Sequence, residues 1–365
     1  MENLSEHKSG TSIEKYFSSD GLYKVISIGS YGLNNEYIDQ GIRAVKNKTT
    51  ESKLVRSGQL TMVLNDKTAN GNLIGRCLLI STDNEFIVNQ RTEIIIPGPD
   101  LNGNYAYYYL NGPFRSKVKR IAQGGTQIYV NYSSVKKQKI NYPIKDEQIK
   151  ISKLLKIIKK LITLYEMKKQ LLTQLKQGIV NFLITKNEQK PQLRFNEFNN
   201  NWESKSFEKL LNYEQPTKYI VKKADYIPQG TPVLTANKSF ILGYTNETNV
   251  YQSIPAIIFD DFTLESKYVD FPFMVKSSAI KILTSKNSNL FFIYQLLNNQ
   301  KFVQEGHSRH YISVVQKKKV LVPSIQEQNK IGNLIKQLEN SIEQNSDIIA
   351  LLKSLKEFLL QNMFL

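Results

Sequence analysis

PIKDEQIKISKLLKII, residues 143–158, returns 180 residues later as PSIQEQNKIGNLIKQL, residues 323–338. The proline, the Glu-Gln pair, the Lys-Ile pair and a leucine hold their places in both copies. At that constant offset 16 residues are identical across 133–176 without a gap. Repetition at half-chain spacing implies one supersecondary unit used twice. Each copy has the same predicted anatomy: a β-like stretch (128–140; 311–322), then a proline, then a long helical pattern. Proline suits the start of a helix because the N–H it lacks has no intrahelical partner there. In the second copy Ser324 and Glu327 match a capping box. In the first, Ile144 replaces that serine and Asp146 is the expected N-cap.

Both helical patterns carry a heptad seam. The first places Ile151, Leu154, Ile158, Leu161, Leu172 and Leu175 at alternating spacings of three and four; the second places Ile331, Leu334, Leu338, Leu352 and Leu355. In the second, Ser341 and Asn345 interrupt the seam, as polar residues that fix register do. From Glu147 to Ile184 the first helix would run about 57 Å at 1.5 Å per residue. Each narrow seam needs a partner, and the simplest is the other copy, packed antiparallel. The alternative is two separate helices, each covering its own core.

Around the helices lie two blocks of short predicted strands and polar loops. The expected organisation is 1–142, a first domain; 143–186, a first long helix; 187–201, a linker; 202–322, a second domain; and 323–365, a second long helix. The fold class is therefore α+β, two α/β domains separated by two long helices pairing as an antiparallel coiled coil, with pseudo-two-fold internal symmetry. The stretches 60–68 and 256–263 echo one another, which aligns Asn65 and Asp66 with Asp260 and Asp261. Trp202 and a helix-like 207–211 open the second block, whereas nothing before Ser12 matches them, so either the first block is shortened at its N-terminus or that element comes from elsewhere.

The 49 Lys and Arg against 32 Asp and Glu give a formal charge of +17. That surplus lies on the surface and favours a polyanionic partner. Between Lys136 and Lys190 there are 14 lysines against four acids, either a solvated face or a track for phosphates or an acidic partner. Cys77 is the only cysteine; no internal disulfide can form, which fits a reducing, cytoplasmic setting. No apolar run approaches the length of a membrane span, and the polar N-terminus has no signal-peptide core.

Catalytic motifs are missing. There is no phosphate loop and no G-x-G-x-x-G opening a helix after a strand. No Asn/Asp-Pro-Pro-Tyr stretch suggests methyl transfer by this chain. With three histidines, a metal site has little material, and His307 and His310 suit a phosphate-facing loop or a plain turn. Asp260 and Asp261 could be half of a nuclease site, a structural turn, or an acceptor for cytosine's exocyclic amine. Side chains able to read base edges or phosphates collect at predicted loops: Asn34, Asn35, Lys67, Asn70, Asn72, Arg76, Gln90, Arg91, Thr126 and Gln127 in the first block. In the second they are Asn237, Lys238, Asp261, Thr263, Lys267, His307 and Arg309.

A strand, then P-x-x-x-E-Q-x-K-I opening a long helix, twice over, resembles the specificity subunit of type I restriction–modification enzymes. The matching residues are Pro143, Glu147, Gln148, Lys150, Ile151 and Leu154, and again Pro323, Glu327, Gln328, Lys330, Ile331 and Leu334. Leu193 through Phe198 and Trp202 resemble that family's approach to a target-recognition domain. The resemblance implies a non-catalytic subunit that reads a split site in double-stranded DNA with two target-recognition domains. Two methyltransferase subunits and an ATP-driven restriction (translocase) subunit would dock on it. No cofactor is then expected on this chain, with S-adenosylmethionine, ATP and magnesium belonging to the partners. The alternative from another class is a basic helical adaptor binding RNA or an acidic protein without DNA sequence specificity.

Overall fold

The computed structural model describes residues 1–67, 69–184, 191–223, 225–237, 239–302 and 310–364. The chain divides into two compact units: Met1–Glu166 with Asp347–Leu365, and Met167–Ser346. Each unit contains one strand-rich block and parts of both long helices, Lys145–Leu183 and Ile325–Asn362.

The first unit is built on an antiparallel sheet in the order Ser5–Ser9, Thr92–Pro97, Leu60–Val63, Cys77–Leu79. A second sheet joins Arg43–Ala44, Tyr23–Ile26, Phe86–Val88 and Leu54–Val55. The helix Gly103–Asn111 covers the first sheet, and its start is set by Asn102, whose side chain accepts the Tyr105 N–H. Tyr105, Tyr109, Phe114 and the buried Cys77 fill the core beneath it. Burial pushes the Cys77 thiol up, as for a packing residue rather than a nucleophile. Ile151 and Leu155 of the first long helix and Phe364 beyond the second close this core.

The second unit repeats the scheme. Its sheet runs Leu211–Glu214, Ile280–Ser285, Ala256–Asp260, Ser266–Val269, beside a three-stranded sheet of Ile241–Thr245, Thr231–Leu234 and Met274–Val275. Helix Leu290–Asn298 is capped by Asn289, the counterpart of Asn102. Val180, Leu183, Ile331 and Ile335 pack with Trp202 and Phe292.

Within each unit the long helices run antiparallel. Glu166 pairs with Lys353 at 2.7 Å in the first unit, and Lys176 pairs with Glu339 in the second. The seam, however, is displaced from its predicted register. Leu155 and Ile162, outside the predicted seam, are buried, while Leu154 (40% exposed), Leu161, Leu175 (51%) and Leu355 face outward. Leu172, Leu334, Leu338 and Leu352 are half-buried, and Ile151, Ile158 and Ile331 are buried as expected. Apolar residues stand at both 154 and 155, and at both 161 and 162, so periodicity alone cannot choose between them. Contact with the core of each unit chooses.

Three further expectations change. The β-like stretches contain helical turns, Tyr132–Lys136 and Tyr311–Val315, because Tyr132/Val135 and Tyr311/Val315 turn inward at helical spacing. Asp146 lies inside a first turn that begins at Lys145, so it is a first-turn acid and not the cap. The echo shifts by two residues. The strand registers Leu60↔Ile95 and Ile257↔Leu283 set Val63 and Leu64, not Asn65 and Asp66, opposite Asp260 and Asp261.

Candidate nucleic-acid interface

The glutamine of each Glu-Gln pair ties a long helix to its unit. Gln148 Oε1 accepts the Asn102 N–H at 2.9 Å, and its Nε2 donates to Pro143 O at 2.9 Å. Gln328 does the same with Asn289 at 3.1 Å and Pro323 at 2.9 Å. Both amides are buried, so each bond satisfies a group that water cannot reach. The motif is thus a clamp that fixes the sheet-covering helix of each unit on the first turn of a long helix.

In the first unit the predicted polar residues separate into two sets. Lys67 and Asn70 are exposed on the turn after strand Asn65–Asp66, which pairs with Ile128–Tyr129. That pairing brings Thr126 and Gln127, also exposed, alongside them. Arg91, in the left-handed region at φ 65°, reaches the same strand: its Nη1 donates to the Asn65 side chain at 2.7 Å. Arg91, Asn65, Tyr129, Asn131 and Lys136 line a groove of about 450 Å³. Arg115 holds the adjoining turn from behind, donating to the carbonyls of Gly71, Asn72 and Ile74. Its burial pushes the guanidinium down to about 10, a cost accepted for three backbone bonds.

The other set is structural. Asn35 accepts from Arg76 Nη1, and its carbonyl accepts the Tyr107 hydroxyl at 2.9 Å. Arg76 Nε donates to Asn72 O at 2.7 Å, so Asn35, Asn72 and Arg76 spend these groups holding loops together. Asn34 makes a local turn with Glu36. Gln90 donates to Glu14, whose carboxyl is held at about 2 by hydrogen bonds from Ser12, Asn89 and Gln90.

In the second unit Asn237 is exposed after strand Thr231–Leu234, and Thr263 and Lys267 share the hairpin that ends in Ser266–Val269. Lys238, His307 and Arg309 lie outside the described residues. Asp261 is no groove residue. It is 2% exposed, pairs with the buried Lys281 at 3.3 Å and accepts the Tyr311 N–H at 2.7 Å. Asp260 caps the N–H groups of Phe262 and Thr263 at 2.9 Å. Both acids are therefore structural, and the nuclease alternative loses its carboxylates. Among the described residues no group of three or more His, Cys, Asp or Glu could hold a metal ion. No described helix is long and apolar enough to cross a membrane.

Sequence reasoning missed the buried ion pairs and the groove residues Asn65, Tyr129 and Asn131. Tyr129 stands between apolar Ile128 and Val130 in sequence, and only the fold brings it beside Arg91 and Lys136.

A duplicated frame with unlike polar faces defines a protein built from one internal repeat. The family profile for the type I restriction modification DNA specificity domain matches the chain twice, over residues 2–177 and 199–354, and the chain belongs to that family. Its members are non-catalytic DNA-recognition components. The specificity subunit of an Escherichia coli type I restriction enzyme is 50% identical over 123 residues, which span 31% of this chain and only 30% of that relative. The crystal structure of a type I restriction–modification S subunit from M. genitalium superposes with a TM-score of 0.67 at 16% identity, covering 100% of this chain and 94% of that one. A structure from work on complex assembly and conformational transition of the type I R-M system gives 0.50 at 12% identity, covering 99% and 92%. At such identities the structural likenesses speak for the fold.

Proposed function

We propose that this chain reads a bipartite site in double-stranded DNA, one half per unit, and scaffolds the methyltransferase and restriction subunits of a type I complex. The observation that carries the reading is the repeated clamp, Gln148 on Asn102 and Gln328 on Asn289. It joins one block to the start of each of two long helices, and a chain with two readers suits a site of two halves. The formal +17 charge supports binding to a polyanion. In the first unit the groove beside Arg91 and the turns bearing Lys67 and Gln127 supply both phosphate and base-edge chemistry.

Scaffolding draws support from an outward apolar stripe on the long helices. In the first unit it comprises Leu154, Ile157, Leu161 and Leu164 with Leu351, Leu355 and Phe358; in the second, Met167, Leu171, Leu175 and Phe182. Exposed stripes of this kind mark protein interfaces, here for two methyltransferase subunits and a translocase. S-adenosylmethionine, ATP and magnesium chemistry is assigned to those partners.

The test is methylation mapping in a host that carries the methyltransferase subunit, with and without this chain. The expected product is a motif of two short defined halves flanking unspecified bases. Methylation that does not depend on this chain, or falls on an uninterrupted motif, would sink the proposal. Binding that is salt-dependent but blind to DNA sequence would instead indicate the adaptor.

A further inference from the structure

The floor of the groove beside Arg91 holds a buried acid and an exposed histidine. His7 and Ser9 reach it from strand Ser5–Ser9, and Glu93 from the neighbouring strand Thr92–Pro97. Glu93 is 1% exposed. His7 Nδ1 lies 2.6 Å from its Oε1, and Ser9 Oγ donates to the same oxygen at 3.1 Å. A carboxylate only accepts, so Nδ1 carries the proton and Nε2 is the nitrogen left to the groove. The His7 side chain is 38% exposed, and its ring rests on Tyr132 with centres 4.7 Å apart. Glu93 and Tyr132 together fix how the ring is presented. Nε2 accepts a hydrogen bond when the ring is neutral and donates one when it is charged.

The other charges around the groove cancel. Arg91 and Lys136 line it, Glu93 lies at its floor, and Glu2 bridges Lys136 at 2.9 Å. Two cations thus stand against two carboxylates. The Tyr132 hydroxyl is pushed up by burial and stays neutral. Glu6 and Lys8 alternate to the opposite face of their strand, and Asp66 turns away to accept the Leu73 N–H at 2.6 Å. The rest of the lining contains no Asp, Glu, Lys, Arg or His. A proton on His7 therefore decides whether the groove carries a net positive charge.

We propose that His7 is a DNA-phosphate contact of the first unit, donating through Nε2–H, and that its proton gives the groove its positive charge. Imidazoles change charge between about pH 5 and 8, so the contact is present at the acid end of that range and lost as pH rises. Glu93 is a positioning residue that holds the ring in one orientation. The second unit has no such gate, since its own buried charges, Lys281 and Asp261, are 1% and 2% exposed and pair with each other. The inference rests on the proposed reading of DNA by the grooves and adds to it one phosphate contact and its proton.

The test is duplex binding by the full chain, followed by anisotropy with salt varied at about pH 6 and about pH 8. Two fluorescein-labelled duplexes serve, one bearing the motif found by methylation mapping and one with its halves scrambled. Each phosphate contact adds about 0.9 to the slope of log affinity against log salt. The native chain should lose about one unit of slope between the two pH values, on both duplexes. His7→Gln, which keeps a donor for Glu93, should show the lower slope at both pH values. His7→Lys, whose charge is permanent, should show the higher slope at both. Other groups that titrate in this range are common to all three proteins and cancel in the comparison. Melting curves report folding, and either folded variant decides. A native slope that does not change with pH overturns the inference, as does an equal change in native and variant chains; both leave DNA reading intact. A His7→Gln loss confined to the motif duplex also overturns it, by pointing to a base contact. Binding of neither duplex by the native chain overturns the proposed function together with the inference.

Discussion

The two units place opposite charges at one point of the same sheet. Glu93 in the first unit and Lys281 in the second occupy equivalent positions, each four residues before the strand end, Pro97 or Ser285, that pairs with Ser5 or Leu211. Glu93 is held by His7 at 2.6 Å and Ser9 at 3.1 Å; Lys281 is held by Asp261 at 3.3 Å and Gln215 at 3.2 Å. Both are buried, so each charge needs local partners, and those partners changed with it. By contrast Gln148 and Gln328 keep the same bonds. The frame that joins reader to helix is held constant, whereas the interior under the polar face is rebuilt around whichever charge it holds. On the proposed function, such divergence serves two half-sites of different sequence while the clamp on each helix stays the same.

The largest expected effect comes from the corrected seam. Leu155→Asp puts a carboxylate into the first unit's core, and thermal melting should show that unit unfolded, because an unpaired buried charge adds to the loss of a leucine worth about 2–5 kcal/mol. Leu154→Asp, one residue away and outward, should leave melting unchanged while weakening copurification of a methyltransferase subunit. Equal destabilisation by the two would restore the register expected from the sequence.

Next come the buried bridges. Arg194 Nε and Nη2 donate to the buried Glu327 at 2.8 and 2.7 Å. Arg194→Ala strands Glu327 and should cost the second unit about 3–5 kcal/mol in urea unfolding. Trp202, the single tryptophan, reports on that unit by its fluorescence. Glu147→Ala, at the exposed counterpart, should change stability by under about 0.5 kcal/mol. Lys281→Met similarly strands Asp261 and should cost about 3 kcal/mol or more. His7→Ala leaves Glu93 the Ser9 hydroxyl and an approach for water, and should cost nearer about 1.5 kcal/mol, the lower range for a hydrogen bond to a charge.

These contrasts show what the sequence could carry. The repeated helix start was legible because a proline, a clamp glutamine and a seam are local demands that the same structure makes twice. The α+β architecture followed from it. The polar faces were less legible because their chemistry depends on non-local register. Asp261 has the composition of a groove residue until the Asp260↔Ile280 register brings Lys281 beneath it. Arg76 and Asn35 look like base readers until folding places them 41 positions apart in sequence but in contact.

The clamps give the test of sameness. Gln148→Ala and Gln328→Ala each remove bonds from a buried backbone N–H and a proline carbonyl, and each should destabilise its own unit by about 1–3 kcal/mol. Since the bonds match in partner and length, the two costs should agree to within about 0.5 kcal/mol, the usual error of additivity between distant sites. Gln148 has one further acceptor, Asp100 O at 2.9 Å, so any excess should fall on the first unit. A larger penalty in the second would mean that the Arg194 bridge, and not the glutamine, bears that junction, and the two units would then be fastened to their helices by different means.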